Sequence, residues 1–195
     1  QQLLSGYIFK RESGIVYSKT FISFFLLRFV VKQIELLQFL TSAFLLGLCV
    51  LAYQDFNERK VTVLLFILLI ILGGYIHYTT QFTVMFLFSL MLNFSIVLLL
   101  ILILLGYVKF VMKKKLSDAI GLGDFLFFGV LSVSFPTVSF ILLFCSSLIF
   151  SLIVFTILKP KMKIKTVPLA GLQALFLFLT MGINLLLNIV DLYLI

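Results

Sequence analysis

Two aspartates, Asp55 and Asp124, are the residues of this sequence best placed to do chemistry. Each stands at the edge of a long apolar run, and an ionisable side chain within a membrane segment costs about 2.5–3.5 kcal/mol on insertion scales. Two carboxylates held together in a medium of low dielectric cannot both ionise, so one keeps a proton that the other lacks. Such a pair supplies an acid and a base, the combination that hydrolyses peptide bonds in aspartic proteases.

The residues before Asp124 strengthen this prediction. Gly121 and Gly123 open an otherwise apolar run together with the carboxylate, although glycines cost helix stability and a buried carboxylate costs desolvation. A glycine lets another backbone approach closely, so we expect a peptide or a neighbouring helix to lie against this turn. Asp55 taken alone is equally well explained as a solvated helix end.

The elements that position these aspartates are predicted from composition. Of the 195 residues, 63% are hydrophobic and 11% charged, against roughly 45–50% and about 25% in soluble domains. A bilayer core about 30 Å thick is crossed by about 20 apolar residues in a helix. The sequence therefore predicts an all-α membrane protein.

The apolar runs predict about six transmembrane helices in a domain covering residues 34–195. Residues 1–33 form a polar and amphipathic N-terminal segment, and within it Phe21–Gln33 is predicted as an interfacial helix. The six predicted spans are approximately Ile34–Gln54, Val61–Tyr78, Phe82–Val108, Leu116–Pro136, Thr137–Leu158 and Pro168 to the C-terminus. This order returns the chain to the same membrane side between Asp55 and Asp124.

The net charge of +8 predicts orientation rather than a nucleic-acid partner. The basic residues gather in loops at 59–60, 109–115 and 159–165, which fall on one side of the membrane, whereas the opposite loops carry none. By the positive-inside rule we expect a multi-pass protein of the inner (cytoplasmic) membrane whose aspartates face the cytoplasm. The basic residues before the first span fit this topology only if that segment lies in the interface.

Three short motifs resemble those of the type IV prepilin peptidases and archaeal preflagellin peptidases, which are membrane aspartyl proteases with a G-x-G-D motif. The first is Asp55-Phe56-Asn57-Glu58-Arg59-Lys60-Val61, the second Ala119-Ile120-Gly121-Leu122-Gly123-Asp124, and the third Val167-Pro168-Leu169-Ala170-Gly171-Leu172. The resemblance covers approximately residue 34 to the C-terminus.

This resemblance implies that Asp55 and Asp124 are the catalytic pair, with Gly121, Gly123, Pro168 and Gly171 as motif residues around the substrate. It implies that no metal or other cofactor takes part. The implied substrate is a pilin-like membrane protein whose short basic leader is cut on the cytoplasmic side, and membrane lipids and a membrane-protein complex are further expected partners. The N-terminal part lacks the paired C-x-x-C motifs of members that also methylate their product, so methylation is not expected.

Two departures from the family pattern keep a second function open. The family usually has proline where this chain has Thr62, and lysine where it has Leu126. The alternative is a catalytically silent relative that serves as a membrane subunit or scaffold. A proton-coupled transporter is a weaker third reading, because the outer halves of the spans carry few polar residues.

The remaining polar residues are given structural interpretations. His77 is assigned to an interfacial aromatic cluster, Asn93, Asn184 and Asn188 to hydrogen bonds between helices, and Asp118 and Asp191 to solvated positions. Cys49 and Cys145 are expected to be packed apolar thiols.

Overall fold

The structure is a computed structural model, and all of the regular elements that it describes are helices. The described residues are 2–57, 61–112, 121–158, 168–187 and 190–193. The helices are α1 (Gln2–Asn57), α2 (Val63–Thr80), α3 (Thr83–Tyr107), α4 (Leu122–Ser134), α5 (Thr137–Leu158) and α6 (Leu169–Leu187), and a π-helical segment, Val108–Met112, follows α3. The predictions for Arg59 and Lys60, Lys113 to Lys115, Asp118, Lys159 to Lys165 and Asn188 fall outside these residues.

Within the described residues, five helical stretches are long and apolar enough to cross a membrane, by length and composition. They are Val30–Asn57, Val63–Thr80, Thr83–Phe110, Thr137–Ile157 and Leu169–Leu187. The prediction of an all-α membrane protein is confirmed, and these five stretches match five of the six predicted spans.

The fourth predicted span is shorter than expected. Its described helix, α4, has 13 residues, which at 1.5 Å per residue is about 20 Å, against a hydrocarbon core of about 30 Å. The chain leaves α4 at Phe135, whose extended backbone precedes Pro136. The residue before a proline is disfavoured in helical conformation, so the helix stops there.

The described chain forms two compact units, residues 1–39 and residues 40–195. The first is helical from Gln2 onward. The proposed boundary after residue 33 and the interfacial placement of Phe21–Gln33 stay predictions. Both aspartates belong to the second unit.

Within the second unit, α4 is the central helix and packs against α2, α3, α5 and α6. Its inward side chains include Phe127 and Val130, both fully buried. Large apolar side chains cover the outer faces of the other helices, most completely on α3, as expected for surfaces in contact with lipid tails. Cys49 and Cys145 also lie on these outer faces, so the expectation that their thiols are packed inside the bundle is wrong.

The helices alternate in direction between two ends of this bundle. We call the aspartate end the one at which α1, α3 and α5 finish and α2, α4 and α6 begin; the other is the opposite end. The short α4 finishes with backbone carbonyls that have no partner in their own helix, and in lipid such groups must find a partner inside the protein.

Two buried side chains supply those partners at the opposite end. His77 Nδ1 lies 2.9 Å from the carbonyl oxygen of Val133, and the Asn93 amide donates to the carbonyls of Ser132 at 2.8 Å and Phe135 at 2.9 Å. The predicted interhelical hydrogen bonding of Asn93 is confirmed. His77 contacts Phe86 edge to face, within the expected aromatic cluster, but it is fully buried and holds α4.

The C-terminal segment also lies at the opposite end. Ser139 Oγ donates to the carbonyl of Leu192 at 2.6 Å, the Gln81 amide donates to the carbonyl of Tyr193, and the Tyr193 ring stacks on Phe135. Asp191 is exposed, as expected. Asn184 accepts a hydrogen bond from the backbone amide of Val190. This contact caps the C-terminal segment and does not join two helices as predicted.

Candidate aspartyl active site

The two aspartates meet at the beginning of α6. Asp55 lies in the last turn of α1 and Asp124 in the first turn of α4. The amide of Gly171 donates to Asp55 Oδ2 at 2.6 Å, and the amide of Ala170 donates to Asp124 Oδ1 at 2.9 Å. Consecutive backbone amides of one helix therefore hold two carboxylates that belong to two other helices.

The sequence at the start of α6 explains why these amides are available. The amide of Leu172 donates to the carbonyl of Pro168 at 3.1 Å, which makes Pro168 the residue that caps the helix. The amides that follow have no acceptor within the helix, and a serine, threonine or aspartate at the cap usually accepts from one of them. Pro168 has no such side chain, so the carboxylates of Asp55 and Asp124 perform the capping.

Gly171 permits the contact with Asp55. A Cβ atom at this position would lie 2.8 Å from Asp55 Oδ2 and 2.9 Å from Asp55 Cβ, distances that real Cβ atoms essentially never show. Gly171 is also buried at this contact, whereas Asp55 is half-buried. The glycine at this position is thus required by the close approach of α1 to α6, which the sequence motif alone did not reveal.

Gly121 and Gly123 differ in their surroundings. A Cβ at Gly121 would lie 3.3 Å from Asp124 Oδ2, whereas one at Gly123 would make ordinary contacts, 3.7 Å from Phe66 and 4.0 Å from Ala170. Gly121 is exposed beside the carboxylate, where a peptide could approach it. Gly123 faces neighbouring helices, the second of the two roles predicted for the glycines.

Helix ends set the electrostatics of the pair. The positive ends of the α4 and α6 dipoles both lie beside Asp124, and these favour a negative charge. Burial of the carboxyl acts in the other direction, because a charged group is costly in a medium of low dielectric. A second carboxylate nearby also disfavours a further negative charge, so the pair favours one shared proton.

The two departures from the family pattern have different structural meanings. Residues two apart on a helix do not face each other, so Leu126 lies on the far side of α4 from Asp124 and a lysine there would not pair with it directly. Thr62 donates its amide to Gln54 Oε1 at 3.3 Å, a bond that proline could not make. The loop before α2 is thereby tied to the last turn of α1, next to Asp55.

Other chemistry is sparse around the site. Among the described residues, no group of three or more His, Cys, Asp or Glu side chains is arranged to hold a metal ion. His77 lies at the opposite end, against Val133, and is therefore remote from the carboxylates. The only chemically reactive groups that the described part of the chain brings together at α6 are Asp55 and Asp124.

Sequence reasoning missed three residues that hold the helices of this site. Gln54 binds the amide of Thr62, His77 binds the end of α4, and Gln173 of α6 donates to Ser147 Oγ of α5 at 3.2 Å. The sequence did carry a signal for Gln173, because an amide side chain inside an otherwise apolar span costs free energy unless it is hydrogen-bonded.

Comparison with known proteins adds no family. No family model matches the chain, no curated protein matches it, and no solved structure matches it.

Proposed function

We propose that the chain is an intramembrane aspartyl endopeptidase in which Asp55 and Asp124 form the catalytic pair. The observation that carries this proposal is the binding of both carboxylates by consecutive amides at the start of α6. The two carboxylates come from distant parts of the chain and occupy one helix end, where proximity and burial favour a shared proton. A pair in this state can act as acid and base on one substrate.

The chemistry follows from one proton shared by two carboxylates. Asp55, ionised, takes a proton from a water molecule while the water oxygen bonds to the carbonyl carbon of the scissile peptide. Asp124, protonated, gives its proton to the carbonyl oxygen, which leaves a tetrahedral diol. Asp55 then protonates the amide nitrogen, the C–N bond breaks, and Asp124 recovers a proton from a diol hydroxyl.

The resemblance to prepilin peptidases supports the choice of substrate. We propose that it is a pilin-like membrane protein, cut between its basic leader and its apolar helix on the cytoplasmic side of the cytoplasmic membrane. The predicted basic loops at 59–60, 109–115 and 159–165 adjoin, in sequence, the helix ends at the aspartate end, and this supports a cytoplasmic orientation.

The test is cleavage of a pilin-like substrate by the full chain in lipid vesicles. Asp55→Asn and Asp124→Asn each keep the size of the side chain and remove its acid-base chemistry, so we expect neither variant to release the leader. Asp191→Asn is the matched control, since Asp191 is an exposed carboxylate at the opposite end. Undiminished cleavage by both site variants would sink the assignment.

The second candidate function is that of a catalytically silent membrane subunit or scaffold. It is considered because position 126 is leucine, where the prepilin peptidases usually have lysine. The cleavage assay separates the two functions, because the wild-type chain of a silent relative releases no leader. Cleavage by the wild-type chain rules this candidate out.

A further inference from the structure

A buried amide side chain lies two and three residues beyond the two amides that hold the aspartates. Gln173 is fully buried in α6, and its Nε2 donates to Ser147 Oγ of α5 at 3.2 Å. Ser147 Oγ in turn donates to the carbonyl of Phe144 at 2.8 Å. Gln173 is thus connected to the α5 backbone through one hydroxyl group.

Stability alone does not explain this residue. Gln173 Oε1 has no hydrogen-bond partner among the described residues, and a buried acceptor without a partner is destabilising. A leucine of similar size would fill the same space between α5 and α6 without that penalty. The bond to Ser147 therefore needs another reason.

Orientation of α6 provides that reason. Neighbouring residues of a helix are about 100° apart around its axis, so the amides of Ala170 and Gly171 reach Asp124 and Asp55 only at one rotation of α6. One turn further along, Phe176 packs on Phe150 with ring centroids 5.3 Å apart. Packed rings fix the separation of α5 and α6 but tolerate sliding, whereas a directional hydrogen bond fixes the rotation.

We propose that Gln173 is a positioning residue, which acts through Ser147 to hold α6 at the rotation that aims its first amides at the two aspartates. The catalytic consequence rests on the proposed protease function; the geometric consequence, a change in how the carboxylates are hydrogen-bonded, does not. The two consequences can therefore be measured separately.

The matched variants are neighbours on α5. Ser147→Ala removes the acceptor of Gln173. Ser146→Ala removes a hydroxyl whose partners, among the described residues, are the carbonyls of Leu142 and Leu143 in its own helix. Gln173→Leu removes the other partner and keeps the volume. All variants are prepared as the full chain in lipid nanodiscs, and their melting temperatures show whether each is folded.

The first readout is the titration of the dyad, followed by the infrared absorption of protonated carboxyl groups and assigned with Asp124→Asn. An amide that bonds to a carboxylate favours its charged form. Gln173→Leu and Ser147→Ala are therefore expected to move the titration midpoint upward by about 1 pH unit, and Ser146→Ala to leave it unchanged. Folded variants with an unmoved midpoint would overturn the proposal, whether or not the chain cleaves a peptide.

The second readout is the rate of cleavage. We expect kcat to fall by between about 10-fold and 100-fold in Gln173→Leu and Ser147→Ala, with KM little changed, because misaimed catalytic groups affect the chemical step. The double variant is expected to lose no more than either single one, since both break the same bond. Losses that multiply would overturn the proposal. A shifted titration in a chain that never cleaves would support Gln173 and refute the protease.

Discussion

Replacing Gly171 tests whether this glycine is needed for the close approach of Asp55 to α6 or only for general packing between helices. Gly171→Ala would push a methyl group into Asp55, so α1 and α6 must move apart and the Asp55 hydrogen bond is lost. Overpacking of this kind costs about 1–3 kcal/mol, and we expect cleavage to fall by at least about 100-fold because catalytic groups are displaced. The control is Gly123→Ala, whose Cβ would make ordinary contacts.

The comparison is made by measuring cleavage rate and melting temperature for both variants. We expect Gly123→Ala to keep nearly the cleavage rate and melting temperature of the wild-type chain, since alanine favours the helical conformation more than glycine does. Equal losses in the two variants would mean that the motif glycines serve helix packing in general, and not the position of Asp55.

The proposed mechanism also predicts how the reaction depends on pH. It requires one ionised and one protonated carboxyl, so the rate falls both when the pair loses its shared proton and when both carboxyls are protonated. We therefore expect kcat/KM to show a bell-shaped dependence on pH.

The measurement is kcat/KM between about pH 5 and pH 9, with the melting temperature followed over the same range to exclude unfolding. A rate that climbs steadily across the range would contradict the assignment of Asp124 as the proton donor.

At the scale of the helix, α4 is too short to cross the hydrocarbon core of a bilayer. Its last backbone carbonyls therefore depend on hydrogen-bond donors from neighbouring helices. Asn93→Leu would leave two carbonyls of the α4 end without a donor, and His77→Leu would leave one. Buried carbonyls without a donor cost about 1–3 kcal/mol, so we expect both variants to unfold at a lower denaturant concentration.

Ser95→Ala is the control for these variants, since Ser95 lies on α3 near Asn93 but is exposed. Unfolding in detergent micelles, followed by circular dichroism, measures the change in stability. Wild-type stability in Asn93→Leu would show that the end of α4 finds other donors. Because His77 and Asn93 act at the opposite end, a loss of activity at a temperature where both variants are folded would mean that α4 transmits their displacement to Asp124.

The positions of the helices follow from local sequence, and the contacts of the site do not. Thr137–Leu158 and Val63–Thr80 match the predicted spans within two residues, because an apolar run bounded by polar residues is itself the physical cause of a membrane helix. The predicted length of the fourth span is too great, because α4 begins only at Leu122, although Pro136 correctly predicts where the helix ends. Its brevity, combined with the buried amide of Asn93, was the available sign that a neighbour caps its carbonyls.

The contacts of the candidate site depend on residues far apart in the chain. Asp55 and Gly171 are separated by 116 positions, and no periodicity or spacing specifies that one accepts from the amide of the other. Pro168 and Gly171 were identified only through resemblance to a family, whereas the structure gives their physical reason: an uncapped helix end and a position without space for a side chain.

At the scale of the whole molecule, the account predicts which end of the bundle faces the cytoplasm. Cysteine at Phe56, at the aspartate end, should react with a membrane-impermeant reagent only from the cytoplasmic side, and cysteine at Phe82, at the opposite end, only from outside. Both positions are exposed. Cys49 and Cys145 are replaced by alanine in both variants so that only the new thiol reports.

Labelling in intact and in opened cells distinguishes the two sides, and the variant in which both Cys49 and Cys145 are replaced by alanine, with no new cysteine, is the control. Labelling of Phe56→Cys from outside would place the aspartates away from the cytoplasm. The cleavage chemistry would then remain as proposed, but a leader held in the cytoplasm could not be its substrate.

The central claim is that Asp55 and Asp124 work as a single unit, and single-turnover cleavage by a double variant tests it most directly. We expect Asp55→Asn and Asp124→Asn each to reduce the rate by roughly 10⁴-fold or more, and the double variant to be no slower than the slower single variant, as for residues that act together in one step. A single variant that keeps most of the rate, or losses that multiply in the double variant, would contradict the account.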